Sequence, residues 1–278
     1  MFAVLPAVAG VGLGRLERMA MLPALFVSHG SPMLVLTGSP ARDFLRGLGR
    51  SIGRPSAIVV ASAHWETRVP AVNAVARNVT IHDFYGFPPA LFAMRYEPPG
   101  APDLARQAAG LLAAAGLETG IDPERGLDHG AWVPLSLMYP EADIPVLQVG
   151  IQSALDPAHH WRVGRALAPL RADNVLVMGS GSFTHDLSRL RRGVVDGTQP
   201  DDVVAFADWF DAAIGEGRMA DLLEYRERAP YAVRQHPTDE HLLPLYVALG
   251  AGGETVAAER LHCSAMYSSL RMDAYAFR

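Results

Sequence analysis

With 278 residues, 50% of them hydrophobic, the chain has apolar content for one sizeable α/β core and is marginal for two full domains. A formal charge of −5 and a longest basic run of only RLRR at 189–192 argue against electrostatic capture of nucleic acid or of an anionic membrane, so a small molecule is the expected partner. The one cysteine, Cys263, excludes an internal disulfide and a cysteine-built zinc site; any metal falls to His, Asp or Glu, and the composition fits a reducing cytoplasm.

Residues 1–20 have an apolar stretch with no basic region ahead of it, which does not read as a secretory signal. They read as a disordered leader or a start-site artefact, with 21–278 as one domain. No run of about 18 uncharged apolar residues follows, so no membrane span is expected. LPALFV (22–27) and SAIVVASA (56–63) are strand-length apolar runs. FYGFPPALFAMRYEPPGAP (84–102), rich in proline and glycine, reads as a long irregular loop of the kind that lines a site. PDLARQAAGLLAAAGL from Pro102 is a helix with proline at its start. IPVLQVGI (144–151) and NVLVMGS (174–180) are two more strands, and DDVVAFADWFDAAIGEG from Asp201 is a helix whose acidic first turn suits its dipole. In PTDEHLLPLY, Thr238 has the character of an N-cap, which puts Glu240 and His241 in a first helical turn. The stretch at 259–277 suggests one or two edge strands, open to antiparallel pairing. This alternation predicts a single α/β domain with a central, mostly parallel (mixed) sheet flanked by helices and an active site at the strand C-terminal ends.

Three of the ten histidines share one kind of position: His29, His64 and His185 each stand at or just past the end of an apolar strand. Loops beyond parallel strand ends gather round one crevice, so the three imidazoles should converge. His129 in GLDHGAW and His241 belong to loops able to join them. His159, His160, His236 and His262 lack this placement, and His82 in IHDFYGF either meets a substrate or caps a loop. Neutral imidazole is the usual ligand of zinc and of non-haem iron. The third ligand stays open: Glu240 would complete a 2-His-1-carboxylate site for divalent iron, whereas His241 would complete a three-histidine site for zinc or iron. The carboxylate left over could orient a ligand from behind. GSGSFTH at 179–185 lacks the Walker lysine, the GxGxxG spacing and the GxSxG elbow, so its glycines are read as letting backbone approach a ligand closely. No HExxH motif occurs.

ALFVSHGSPM, VVASAHWET, IHDFYGFP, GLDHGAWVPL, ADIPVLQVGIQ, GSGSFTHDL and PTDEHLLPLYVALGA together resemble the class III extradiol ring-cleavage dioxygenases, in the DOPA 4,5-dioxygenase-like branch. The resemblance runs from about residue 22 to the C terminus. It implies that His29 and His64 are metal ligands and that His241 completes the site, with Glu240, matching the glutamate of more distant relatives, as its rival. It further implies that His185 is an acid/base and substrate-binding residue, that His129 lines the pocket, and that Fe(II) serves activity while Zn(II) can occupy the same site. A catechol and O2 would be the small-molecule partners. His82, Trp65, Phe84 and Tyr85, with Phe87, would supply a substrate contact and apolar walls for a flat ring. HPTDEH differs from the extended proline-rich form of the pigment-forming enzymes, which leaves the natural catechol open. The alternatives are a zinc-dependent hydrolase and a non-catalytic metal-binding protein on the same scaffold. A monomer or a small homo-oligomer in the cytoplasm is expected.

Overall fold

Each of the four apolar runs is a strand in the computed structural model of the protein, which describes residues 21–191, 198–253 and 257–278. The expected leader at 1–20 lies outside the described residues. In chain order the strands are β1 (Ala24–Ser28), β2 (Ala57–Glu66), β3 (Ala71–Asn73), β4 (Gly120–Asp122), β5 (Val146–Ile151), β6 (Val175–Gly181), β7 (Ala258–His262), β8 (Ala265–Met266), β9 (Leu270–Arg271) and β10 (Ala274–Phe277). Among the described residues, eight of them form one mixed sheet in the order β4-β3-β5-β2-β6-β1-β10-β7, while β8 and β9 pair with each other. Strands β5, β2, β6 and β1 run parallel at its centre, so their C-terminal ends share one edge. The expected architecture, a mixed and centrally parallel sheet flanked by helices, is the one found. The C-terminal stretch is corrected: it forms four short strands rather than one or two, with β10 antiparallel to β1 and β7 antiparallel to β10.

The helices are α1 (Pro40–Ile52), α2 (Pro89–Ala93), α3 (Pro102–Ala114), α4 (His129–Met138), α5 (Pro157–Leu167), α6 (Asp201–Gly215), α7 (Met219–Leu223), α8 (Tyr225–Arg228), α9 (Ala232–Gln235) and α10 (Leu243–Gly252). Helix α2 falls inside the stretch expected to be wholly irregular. Along β1, Ala24 and Phe26 enter the cluster built with α3, α5, α6 and α10, whereas Leu25 and Val27 enter the one built with α1 and α4. Both faces are therefore covered, which is why these strands read as unbroken apolar runs without alternation. Each fully buried side chain of this kind contributes about 1.5–3 kcal/mol.

Two local expectations change. Helix α10 starts at Leu243 without a side-chain cap, so Glu240 and His241 occupy the turn before it rather than its first turn. Pro244, with no N–H to give, suits a helix start there. The Asp239 carbonyl oxygen accepts from the Leu242 and Leu243 N–H groups at 2.8 and 3.2 Å, closing the preceding turn. The glycines of GSGSFTH are also corrected, because what approaches them closely is the protein's own backbone. A β-carbon at Gly179 would run into the Pro244 carbonyl oxygen, and one at Gly181 into that of His241. Gly181→Ala should therefore cost about 3 kcal/mol. That is a fall of roughly 6 °C or more in Tm at this chain size. A thermal melt unchanged from the parent would contradict the tight approach.

Candidate metal centre

Elements from both layers bring the histidines to one edge of the sheet. His29 is the first residue past β1, only 2% exposed, and its N–H donates to the Gly181 carbonyl at 2.9 Å. Gly30 follows with φ +63°, a left-handed conformation that glycine adopts without strain, so the chain can turn away at once. His64 lies inside β2, on the side of Ile58 and Val60 and hence of α4. His129 opens α4, whose N-cap Asp128 accepts from the Ala131 N–H at 3.3 Å. His241 reaches over from the α10 side, its carbonyl accepting from the Ser182 N–H at 2.8 Å. His185 stands in the loop after β6, tied by its N–H to the Gln235 carbonyl at 2.8 Å.

The ring nitrogens meet. His64 Nε2 lies 3.1 Å from His29 Nε2 and 3.2 Å from His241 Nε2. The partners behind each ring decide which nitrogen carries the proton. Pro134 sits inside α4 and has no N–H for the Gly130 carbonyl, which instead accepts from the Ser180 hydroxyl. With its proton committed there, Ser180 Oγ can only accept from His29 Nδ1, at 3.1 Å, and His29 Nε2 is left with its lone pair. Glu240 Oε1 accepts from His241 Nδ1 at 2.8 Å, so the same holds for that ring, and the charge of Asp83, whose Oδ2 lies 3.5 Å from His64 Nδ1, draws the His64 proton to the same side.

Burial, reinforced by the neighbouring imidazoles, pushes His29 and His241 well below the ordinary histidine value and His64 down to about 3. Three neutral imidazoles thus aim lone pairs at one another with no proton between them, an arrangement that a cation among them would relieve. Nitrogens about 2.0–2.1 Å from one tetrahedral ion lie about 3.4 Å apart, close to the spacing found. An all-nitrogen donor set suits a transition metal rather than magnesium or calcium. The residues present therefore fit a divalent transition-metal ion.

The remaining titratable groups surround this point. His29, His64 and His129 form one group, and His185, Glu240 and His241 a second, each with ligand atoms within 4.8 Å of one another; His64 joins the two. The His185 ring stacks on that of His241 at 3.3 Å between centroids, with its Nδ1 3.7 Å from Glu240 Oε1. Burial lowers His185 to about 4, against an opposing pull from Glu240. His129 donates from its backbone N–H to Asp83 Oδ1 and from Nδ1 to Asp83 Oδ2, both at 2.9 Å. Burial alone would raise the Asp83 carboxyl, yet these bonds from His129 outweigh it and hold it at about 2.

The aromatic expectations divide. Phe84 stands edge-on to His129 at 5.8 Å, and Phe87 is edge-on to Phe84 at 5.3 Å. His82 donates from Nε2 to the Met94 carbonyl at 3.1 Å and so takes the loop-capping role. Trp65 follows His64 on the strand and leaves from the opposite face, where the Arg125 guanidinium lies 5.4 Å from its ring centre. Tyr85 is 92% exposed. Residues the sequence reading passed over are Asp83, Ser180 and Pro134. Asp83 had a signal, since only one of two adjacent residues in extended chain can face the site; the other two had none. Beside His64 and His241 opens a cleft of about 770 Å³, lined also by Glu66, Ser153, Arg226 and Asp239.

A family model described as the catalytic LigB subunit of aromatic ring-opening dioxygenase matches residues 23–277. A protein of Beta vulgaris named 4,5-DOPA dioxygenase extradiol is 47% identical over 243 residues, covering 86% of this chain and 90% of the relative. One of the same name from Escherichia coli (strain K12) is 40% identical over 234 residues, covering 83% and 85%. The crystal structure of an uncharacterized protein from Escherichia coli K12 superposes with a TM-score of 0.76 at 32% identity, over 92% of this chain and 100% of that one.

Proposed function

Because the chain belongs to the LigB family of aromatic ring-opening dioxygenases and is an extradiol dioxygenase, we propose that residues 21–278 form a catalytic domain opening a DOPA-type catechol at an iron(II) held by His29, His64 and His241. The observation that carries this reading is the meeting of three lone-pair-bearing Nε2 atoms at 3.1 and 3.2 Å beside an open cleft. A redox-active ion held there would relay electrons from the catechol to dioxygen, and its charge would ease loss of the catechol protons. The rest falls to the chain.

Glu240 accepts from His241 Nδ1 and keeps the opposite nitrogen aimed inward, an orienting role rather than a ligand's. His185, neutral at physiological pH because burial lowers it to about 4, is placed to take a catechol proton and return one at ring opening. Glu240 Oε1, 3.7 Å from its Nδ1, steadies the imidazolium formed in between. His129, gripped twice by Asp83, turns its free ring nitrogen toward the substrate's oxygens. Phe84 gives the flat ring an apolar neighbour. No described helix is long and apolar enough to cross a membrane. The single cysteine supports placing the activity in a reducing cytoplasm.

The test is oxygen uptake by protein reconstituted anaerobically with iron(II) and given DOPA and a panel of simpler catechols, with the visible spectrum followed. Uptake with a new yellow absorbance is expected. Its absence across the panel, with iron verified in the protein, overturns the reading.

A further inference from the structure

We propose that Glu66 reads a cationic group on the substrate's side chain, making the enzyme selective for catechols that carry an ammonium; this rests on the ring-opening reading above. Glu66 ends β2, two residues beyond His64, and both side chains line the same cleft. Two residues along a strand span about 7 Å. A catechol held through its oxygens by an ion among the three Nε2 atoms, with its ring in this cleft, would carry a two-carbon substituent toward Glu66, the next side chain outward on that face of β2.

The charges of the cleft single this residue out. Arg226 is ion-paired with Asp239 and also donates to the His236 carbonyl at 3.1 Å; Tyr225 donates its hydroxyl to the same Asp239 carboxylate at 2.8 Å. Glu240 is engaged by His241 and His185. Glu66 accepts from the Ser153 hydroxyl, but among the described residues no cation is paired with it. Two carboxylates of the cleft thus face no cation, and they differ in placement: Glu240 is tied behind His241, whereas Glu66 is exposed in the cleft and held by a neutral donor. An ammonium there would complete a charge-assisted hydrogen bond, whereas a substrate with a carboxylate and no ammonium would be repelled; DOPA meets Glu66 with its ammonium while its carboxylate turns away.

The experiment compares kcat/KM for DOPA, dopamine, 3-(3,4-dihydroxyphenyl)propionate and 4-methylcatechol in the parent, Glu66→Gln and Glu66→Asp. Glu66→Gln should lower the values for the two amines by about tenfold or more, mainly through KM, relative to the two catechols without an amine. Glu66→Asp should recover part of that preference. An equal loss on all four substrates, or no loss on any, overturns the proposal. Turnover of 4-methylcatechol by the parent tests ring opening separately. Should it fail, anaerobic calorimetry of the same four compounds with metal-loaded protein still reads the preference: an amine preference that Glu66→Gln abolishes supports the assignment, and one that survives it, or none in the parent, refutes it.

Discussion

His64→Ala will fold and melt cooperatively but will not retain its metal through dialysis, binding it more than about 100-fold more weakly than the parent. The bound is set from below, since loss of a partner behind a ligand already costs about 10–100-fold. His64 Nε2 is the atom that touches both of the other inward nitrogens, so its removal leaves two donors that no longer share a neighbour. The fold should survive because the His64 side chain is 22% exposed, and water can enter the space it leaves. In the metal-free protein the change also removes a repulsion between lone pairs. His29→Ala and His241→Ala should behave alike, whereas Glu240→Gln, which keeps an acceptor behind His241 but removes its charge, should lose only the smaller factor. Metal per chain by mass spectrometry, beside circular dichroism, decides the matter. Full occupancy in His64→Ala together with an empty Glu240→Gln would move the ion to the second group, His185, Glu240 and His241.

The second large effect is on the reaction alone. His185→Gln is expected to bind metal like the parent while kcat falls by about 10²–10⁴, the usual contribution of a positioned acid/base. His185 stacks flat on His241 and makes neither of the contacts that join the three Nε2 atoms, so a side chain of similar width can replace it without disturbing the ligands. The sign of the pH dependence follows from its burial. With its pKa lowered to about 4, the imidazole is a free base throughout the neutral range and is lost as a base only as pH falls toward that value. The acid limb of kcat for the parent should thus lie well below the ordinary histidine value near 6.5, and the variant should lack it. A variant with metal in place that keeps more than about a tenth of the parent rate would remove His185 from the chemistry.

Much of this protein was legible in segments a few residues long. Apolar runs with both faces buried marked β1, β2, β5 and β6, and proline or acidic starts marked α3 and α6. Parallel strands imply a shared C-terminal edge, so histidines at strand ends had to gather there, and His29, His64 and His185 do. Local pattern goes no further, because which atom of a side chain faces which neighbour is settled by residues far apart in the chain. His29 takes its tautomer from Ser180, 151 positions away, and His64 meets His241 across 177. That the imidazole of His241 and not the carboxylate of Glu240 meets His64 follows from a helix that begins at Leu243 rather than earlier, which leaves the carboxylate behind the imidazole. Trp65 and Tyr85 have the right chemistry for a ring pocket, but strand alternation turns one away and solvent surrounds the other. The glycines of β6 announced a close approach without saying to what, and only packed layers could show that it is the backbone of His241. Composition and periodicity thus determined the scaffold and the kind of donor, since these depend on burial along single elements. Tertiary packing decided the direction of the lone pairs and the partner of each carboxylate, since these depend on contacts between elements.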